Sequence, residues 1–165
     1  MIPERETSHF SSCQRKLVYR AMEEAEERAT EYYCIPPFRW EQLRYDLLTR
    51  EDREWEPFPG PTLARIRCLQ RIRKDDSFDF YRIELNDPGI LDAAKRERLA
   101  NDIYPFFVYI LTHEMVHMIR LNSILDDKEK ISAPHEVSEE CRVREISRKV
   151  LARSGFHSVF ERFCG

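Results

Sequence analysis

The sequence predicts an α+β fold that is mostly helical and contains one small antiparallel β-sheet. Apolar residues recur at helical spacing over most of the chain, and the period changes to two only between residues 63 and 85. The chain has 165 residues, 42% of them hydrophobic, and four glycines, which leaves little room for flexible linkers. We therefore expect a single domain over residues 1–165 with one hydrophobic core.

Two helices are predicted in the N-terminal part of the chain. Ser11 begins a Ser-x-x-Gln capping box with Gln14, and the apolar spacing that follows predicts a long helix over about residues 12–34. Pro36 and Pro37 end it, because proline lacks the backbone donor and restricts the residue before it. A shorter amphipathic helix is predicted from Trp40, Leu43, Leu47 and Leu48, and a polar, proline-rich loop follows over residues 51–61.

An antiparallel hairpin is predicted next. In its first strand, apolar and polar residues alternate from Leu63 to Arg73, and in its second strand Tyr81, Ile83 and Leu85 alternate with their neighbours. Residues 74–77 form the turn between the strands, and the sequence NDPG at residues 86–89 ends the second strand.

The first strand of this hairpin carries the arginines Arg65, Arg67, Arg71 and Arg73 on one face. A basic strand face can bind nucleic acid, but Asp75 and Asp76 offset this charge and no aromatic residues interleave with the arginines for base stacking. We therefore expect a solvated strand face.

Three further helices are predicted in the C-terminal half. Residues 91–100 form a charged, exposed helix, and Asp102 caps a helix in which Pro105 occupies the first turn. Residues 103–119 of that helix are apolar on nearly every face, so it should run through the centre of the domain. Residues 136–151 carry a broad apolar stripe and predict a second packed helix.

The central helix contains the motif H-E-x-x-H at residues 113–117. Residues four apart on a helix face the same way, so His113 and His117 can reach one metal ion, and Glu114 can contact a water beside it. The flanking residues are apolar, so the motif is expected to be buried. Histidines and carboxylates are seldom buried without a partner, so their presence on this helix indicates a specific role. The alternative interpretation is two hydrogen-bonded core histidines with Glu114 paired to an arginine.

With this motif the chain resembles the zincin metallopeptidases, whose active-site helix carries H-E-x-x-H and packs behind a twisted sheet. The resemblance covers residues 63–151. Arg120 and Ser123 occupy the positions of the glycine and third histidine of the extended metzincin motif, which excludes that branch. The resemblance therefore implies a small cytosolic enzyme of the gluzincin type, with Zn²⁺ bound by the two histidines and a glutamate of the next helix.

Three glutamates are candidates for that third ligand, ranked Glu140, Glu139 and Glu136. Glu140 lies near the centre of the apolar stripe and precedes a small residue, as the ligand often does in compact intracellular zincins. Glu136 has the spacing of aminopeptidase-like gluzincins but stands at the start of the helix. His135 is the option that is not a glutamate, and we expect it to be a loop or cap residue.

The resemblance also implies a mechanism. Zinc polarises the scissile carbonyl and lowers the pKa of the attacking water, and Glu114 takes the water proton and passes it to the leaving amine. His157 is the first candidate for a second oxyanion donor, with Arg142 and Arg144 as alternatives.

In zincins the outer strand before the motif helix binds extended substrate, which here predicts an outer strand over residues 81–85. The alternative is an edge strand guarded by charged side chains.

Composition limits the remaining classes of function. The net charge is -3, no apolar run is long enough for a membrane span, and the N-terminus lacks the apolar core of a signal peptide. We therefore expect a cytosolic protein that binds neither nucleic acid nor membranes, and whose five scattered cysteines are reduced. Its predicted partner is a peptide or protein substrate. The alternative function is a catalytically inactive metal-binding module that binds a protein partner.

Overall fold

The computed structural model describes residues 9–70, 79–122 and 137–152, and within these ranges it contains five helices and three strands. In chain order they are α1 (Ser12–Tyr33), α2 (Pro37–Trp40), β1 (Leu43–Leu48), β2 (Ala64–Gln70), β3 (Asp79–Leu85), α3 (Asp87–Arg96), α4 (Tyr104–Leu121) and α5 (Val137–Leu151). The α+β class predicted from the sequence is confirmed.

Helix α1 begins and ends where the sequence predicts. The Ser11 hydroxyl accepts a hydrogen bond from the Gln14 backbone N–H, and the Gln14 side chain accepts one from the Ser11 N–H, which completes the capping box. At the other end Cys34 adopts a left-handed conformation with φ 53°, and Pro36 and Pro37 follow.

Strand β1 corrects the predicted short helix over residues 40–48. Leu43, Tyr45 and Leu47 lie opposite residues 79, 81 and 83 of β3, and all three pack on the core. Leucines at 43, 47 and 48 fit a helix as well as a strand, because so short a segment satisfies both periods. Pairing with β3 is a contact distant in sequence, and it decides the conformation here.

The sheet has the order β1-β3-β2, so β3 is its central strand. Strands β2 and β3 are antiparallel, as the predicted hairpin requires, but β1 runs parallel to β3, and the sheet is therefore mixed rather than antiparallel. The prediction that residues 81–85 form an outer strand, whether for substrate binding or as a guarded edge, is wrong. Both sides of β3 already pair with neighbouring strands, and the edges are β1 and β2.

The arginines on this face of the sheet form ion pairs, and Arg67 is also exposed to solvent as expected, while Arg65 is only partly exposed. Glu84 of β3 is buried, and it pairs with Arg65 and, at 3.2 Å, with Arg67 of β2. The Arg65 guanidinium also lies 4.2 Å from the centre of the Phe58 ring, because the proline-rich loop folds over this face. Arg71 and Arg73 lie outside the described residues.

Two predicted helix starts also need correction. Helix α3 begins at Asp87, within the predicted NDPG turn, because the Asn86 side chain accepts a hydrogen bond from Gly89 and caps it. Its apolar face is buried rather than exposed, with Ile90 and Ala93 in the core. Helix α4 has Pro105 in its first turn as predicted, but Ile103 is its N-cap residue and Asp102 is not.

Helix α4 forms the centre of the core, as its composition predicts. Its buried residues include Phe106, Phe107, Val108, Leu111, Met115, Val116, Met118 and Ile119. Helix α1 packs along it through three buried alanines, Ala21, Ala25 and Ala29, whose small side chains allow close approach of the two helices. Helix α5 packs on another side of α4. Both motif histidines therefore lie on an element that is fixed by packing from several directions.

Two further sequence expectations concern membrane spans and cysteines. None of the helices in the described ranges is both long and apolar enough to cross a membrane. Four of the five cysteines, Cys13, Cys34, Cys68 and Cys141, form no disulfide bond in the described part of the chain, and the fifth lies outside it.

Candidate metal centre

Helix α4 presents His113 and His117 on one face, one turn apart, with their ring centres 4.8 Å from each other. Their side chains are 16% and 11% exposed, so both lie at the margin of the core. Most residues on the remaining faces of α4 are apolar and buried in the core, and the two imidazoles lie on the face toward α5.

Glu140 of helix α5 completes the group. Its two carboxylate oxygens lie 3.4 Å from His113 Nε2 and 2.9 Å from His117 Nε2. One donor atom from each of the three residues lies within 4.8 Å of the other two. The Glu140 side chain is 41% exposed, so the group opens to solvent on the side of α5. The structure thus brings together the two motif histidines and the glutamate ranked first from the sequence.

Glu139, ranked second, pairs with Arg120 and is not one of the three grouped donors. Its carboxylate accepts two hydrogen bonds from Arg120 of α4, at 2.5 Å from Nε and 3.1 Å from a terminal guanidinium nitrogen. Arg142 and Arg144 lie on the exposed side of α5. The remaining candidates, Glu136, His135 and His157, fall outside the described residues.

Glu114 is buried beside the group. Burial raises the pKa of its carboxyl, while the positive charge that His113 and His117 carry when protonated acts in the opposite direction. Within the described ranges no arginine or lysine forms an ion pair with Glu114. The alternative of a structural Glu114–arginine pair therefore has no counterpart among these residues.

His117 and Glu140 change each other's pKa. Hydrogen bonds from the His113 and His117 imidazoles hold the pKa of the Glu140 carboxyl well below its ordinary value of 4.5. Burial opposes protonation of His117, but its hydrogen bond to Glu140 and the negative charges of Glu114 and Glu140 outweigh this and raise its pKa.

The donor set fits zinc. Ligand atoms bound to zinc at about 2.0–2.2 Å in a tetrahedron are about 3.3–3.6 Å apart. The nitrogen–oxygen distances of 2.9 and 3.4 Å involve different oxygens of Glu140, and the three donor atoms lie within 4.8 Å of one another, so small side-chain rotations would bring one oxygen and both nitrogens to these separations. Two imidazoles and one carboxylate leave a fourth position open, as in catalytic rather than structural zinc sites. His113 Nδ1, the ring nitrogen that would not bind a metal held at Nε2, is buried and has no hydrogen-bond partner in the described part of the chain.

The sequence analysis missed the ion pair of Arg120 with Glu139, because it considered Arg120 only as a departure from the metzincin motif. A signal was present, because Arg120 is the only arginine or lysine of the mostly apolar helix α4 and follows His117 by three residues. Two consecutive glutamates on the next helix offered it a partner. The sequence did not show which of these two glutamates pairs with the arginine.

Comparison with known proteins adds no further argument. No protein-family model, curated protein sequence or solved structure matches this chain. The case for its function therefore depends on the motif and on the geometry of the residues around it.

Proposed function

We propose that this protein is a zinc-dependent metallohydrolase, a peptidase of the gluzincin type. His113, His117 and Glu140 bind the zinc ion, and Glu114 is the general base. The observation that carries the proposal is the convergence of three donors from two helices beside a buried glutamate that forms no ion pair with a described cationic residue.

In this proposal zinc and Glu114 have different functions in the reaction. Zinc, when bound, supplies Lewis acidity that polarises the scissile carbonyl and lowers the pKa of water. Glu114 accepts the proton of the attacking water and gives it to the leaving amine. Burial raises the pKa of the Glu114 carboxyl in the metal-free protein, and a carboxyl with a raised pKa holds a proton more firmly than an exposed carboxylate does.

The position of the group favours a peptide or an exposed protein loop as substrate. The histidines lie at the margin of the core and Glu140 is partly exposed, so a substrate can reach the site from the side of α5 without entering the domain. A catalytically inactive metal-binding module has the same donors but does not need Glu114 as a base.

The deciding experiment compares the wild type with Glu114→Gln. This change keeps side-chain size and removes the proton acceptor, so we expect unchanged zinc content and a rate lower by on the order of a hundred-fold or more. The Glu114→Gln protein is used to capture partners from a lysate, and each captured protein is then incubated with the wild type. Glu145→Gln, an exposed change on α5, is the matched control and should cleave as the wild type does.

The results separate the two functions. Cleavage of a captured protein by the wild type and by Glu145→Gln, but not by Glu114→Gln, supports the peptidase. Repeated capture of proteins that the zinc-loaded wild type leaves intact would favour the inactive binding module.

A further inference from the structure

We infer that Arg120 is a positioning residue that sets the orientation of Glu140 by holding its neighbour Glu139. The inference rests on the proposed function, since it concerns the geometry of the zinc ligands. Arg120 and Glu139 are 4% and 5% exposed, and two hydrogen bonds of 2.5 and 3.1 Å join them across the α4–α5 interface. They form a bidentate pair, in which the planar guanidinium fixes the direction as well as the distance of the carboxylate.

The pair and the metal ligands lie side by side on both helices. Arg120 follows His117 by three residues on α4, and Glu139 immediately precedes Glu140 on α5. Consecutive residues of an α-helix point about 100° apart, so fixing Glu139 on Arg120 also fixes the direction of Glu140. A rotation of α5 by one residue would place Glu139 toward the histidines and turn Glu140 away.

The other α5 residues in the core do not supply this constraint. Val143, Val150 and Leu151 are buried and apolar, and hydrophobic contacts have no preferred direction. The buried Ser147 hydroxyl donates a hydrogen bond to the Val143 carbonyl within α5 itself. The apolar residues hold α5 against α4 but specify its rotation less strictly than two hydrogen bonds of fixed geometry. Of the two adjacent glutamates, one therefore orients the helix and the other remains available for the metal.

Replacing the Arg120–Glu139 pair by apolar residues distinguishes a positioning role from a stabilising one. Removing two charges from water costs free energy that their attraction often only balances, so a buried ion pair can be replaced by apolar residues without loss of stability. The double variant Arg120→Met/Glu139→Met should keep the metal-free fold but lose the orientation of Glu140. Arg120→Lys keeps the charge and loses the bidentate geometry.

The test measures zinc affinity, by competition with a chelator, and the melting temperature of the metal-free protein. We expect the double variant and Arg120→Lys to bind zinc about ten-fold or more weakly than the wild type, as is typical when the support of a ligand is removed. The metal-free double variant should melt near the wild-type temperature. Arg82→Lys is the matched control, because Arg82 forms a similar bidentate pair with Asp46 in the sheet, and it should bind zinc as the wild type does.

Each result has a defined meaning. A wild type that binds no zinc would refute the proposed function itself. If the wild type binds zinc and the double variant keeps its affinity within about two-fold, the positioning role is wrong, because a supporting partner should matter more than that. An equal loss of affinity in Arg82→Lys would also overturn it, since the effect would then be general. If Arg120→Lys does not fold, the double variant alone decides.

Discussion

His117 Nε2 lies 2.9 Å from Glu140 Oε1, across the interface between α4 and α5. The two residues belong to different helices, so this contact exists only in the folded chain. A zinc ion held here would bind the native state far more tightly than the unfolded chain, in which the donors are apart. The proposed zinc site therefore links metal binding to stability and to pH, and each can be measured.

Zinc content is the first expectation. The purified wild type should contain or take up about one zinc per chain, and His113→Ala/His117→Ala should not, because two of its three donors are gone. At free zinc one hundred times the dissociation constant, zinc should stabilise the wild type by about 2.7 kcal/mol. Elemental analysis and thermal unfolding measure the two effects. A metal-free wild type that also fails to take up added zinc would refute the site.

Glu140→Gln should weaken zinc binding more than any other single change on α5. An amide is an uncharged and poorer donor to a divalent cation than a carboxylate, and the loss should exceed the roughly 10–100-fold that follows removal of a supporting residue. Glu145→Gln is the control for a lost surface charge on the same helix. Wild-type affinity in Glu140→Gln would show that another residue is the third ligand.

Glu139→Met should destabilise the metal-free protein strongly. It leaves the Arg120 guanidinium buried without its carboxylate, and breaking a buried pair from one side costs about 3–5 kcal/mol. Glu145→Met removes a carboxylate from an exposed pair on the same helix and should change stability by less than about 1 kcal/mol. Denaturant unfolding compares the two variants, and equal losses would contradict the prediction.

The effect of zinc on stability should increase with pH. In the metal-free protein the pKa of His117 is raised above its ordinary value of 6.5, so its contribution to stability is complete below 6.5 and is lost as the pH rises through the folded-state pKa. Zinc binds the neutral imidazole, so the affinity for zinc increases as the pH rises and His117 loses its proton. The rise in melting temperature on adding zinc should therefore be larger at about pH 8 than at about pH 6. A constant rise over this range would contradict the raised pKa.

Local patterns in the sequence were sufficient for most of the elements. The capping box at Ser11 predicts where α1 begins, and Pro36 and Pro37 mark where it must have ended. Alternation predicts the β2–β3 hairpin, and continuous apolar character predicts the central position of α4. The motif at residues 113–117 also places both histidines on one helix face. All of these features depend on residues that are close in the chain, so a single sequence records them.

Contacts between distant segments decided the rest. Leu43–Leu48 fits either period, and it is a strand because β3 offers it a partner, which also makes β3 central. Glu139 and Glu140 are adjacent and chemically identical, and the sequence ranks them without separating their roles. Only the packing of α5 on α4 does so, because it buries Glu139 against Arg120 and leaves Glu140 beside His113 and His117. A residue's neighbours along the chain define its local conformation, but its partner in space depends on which faces meet when the helices pack.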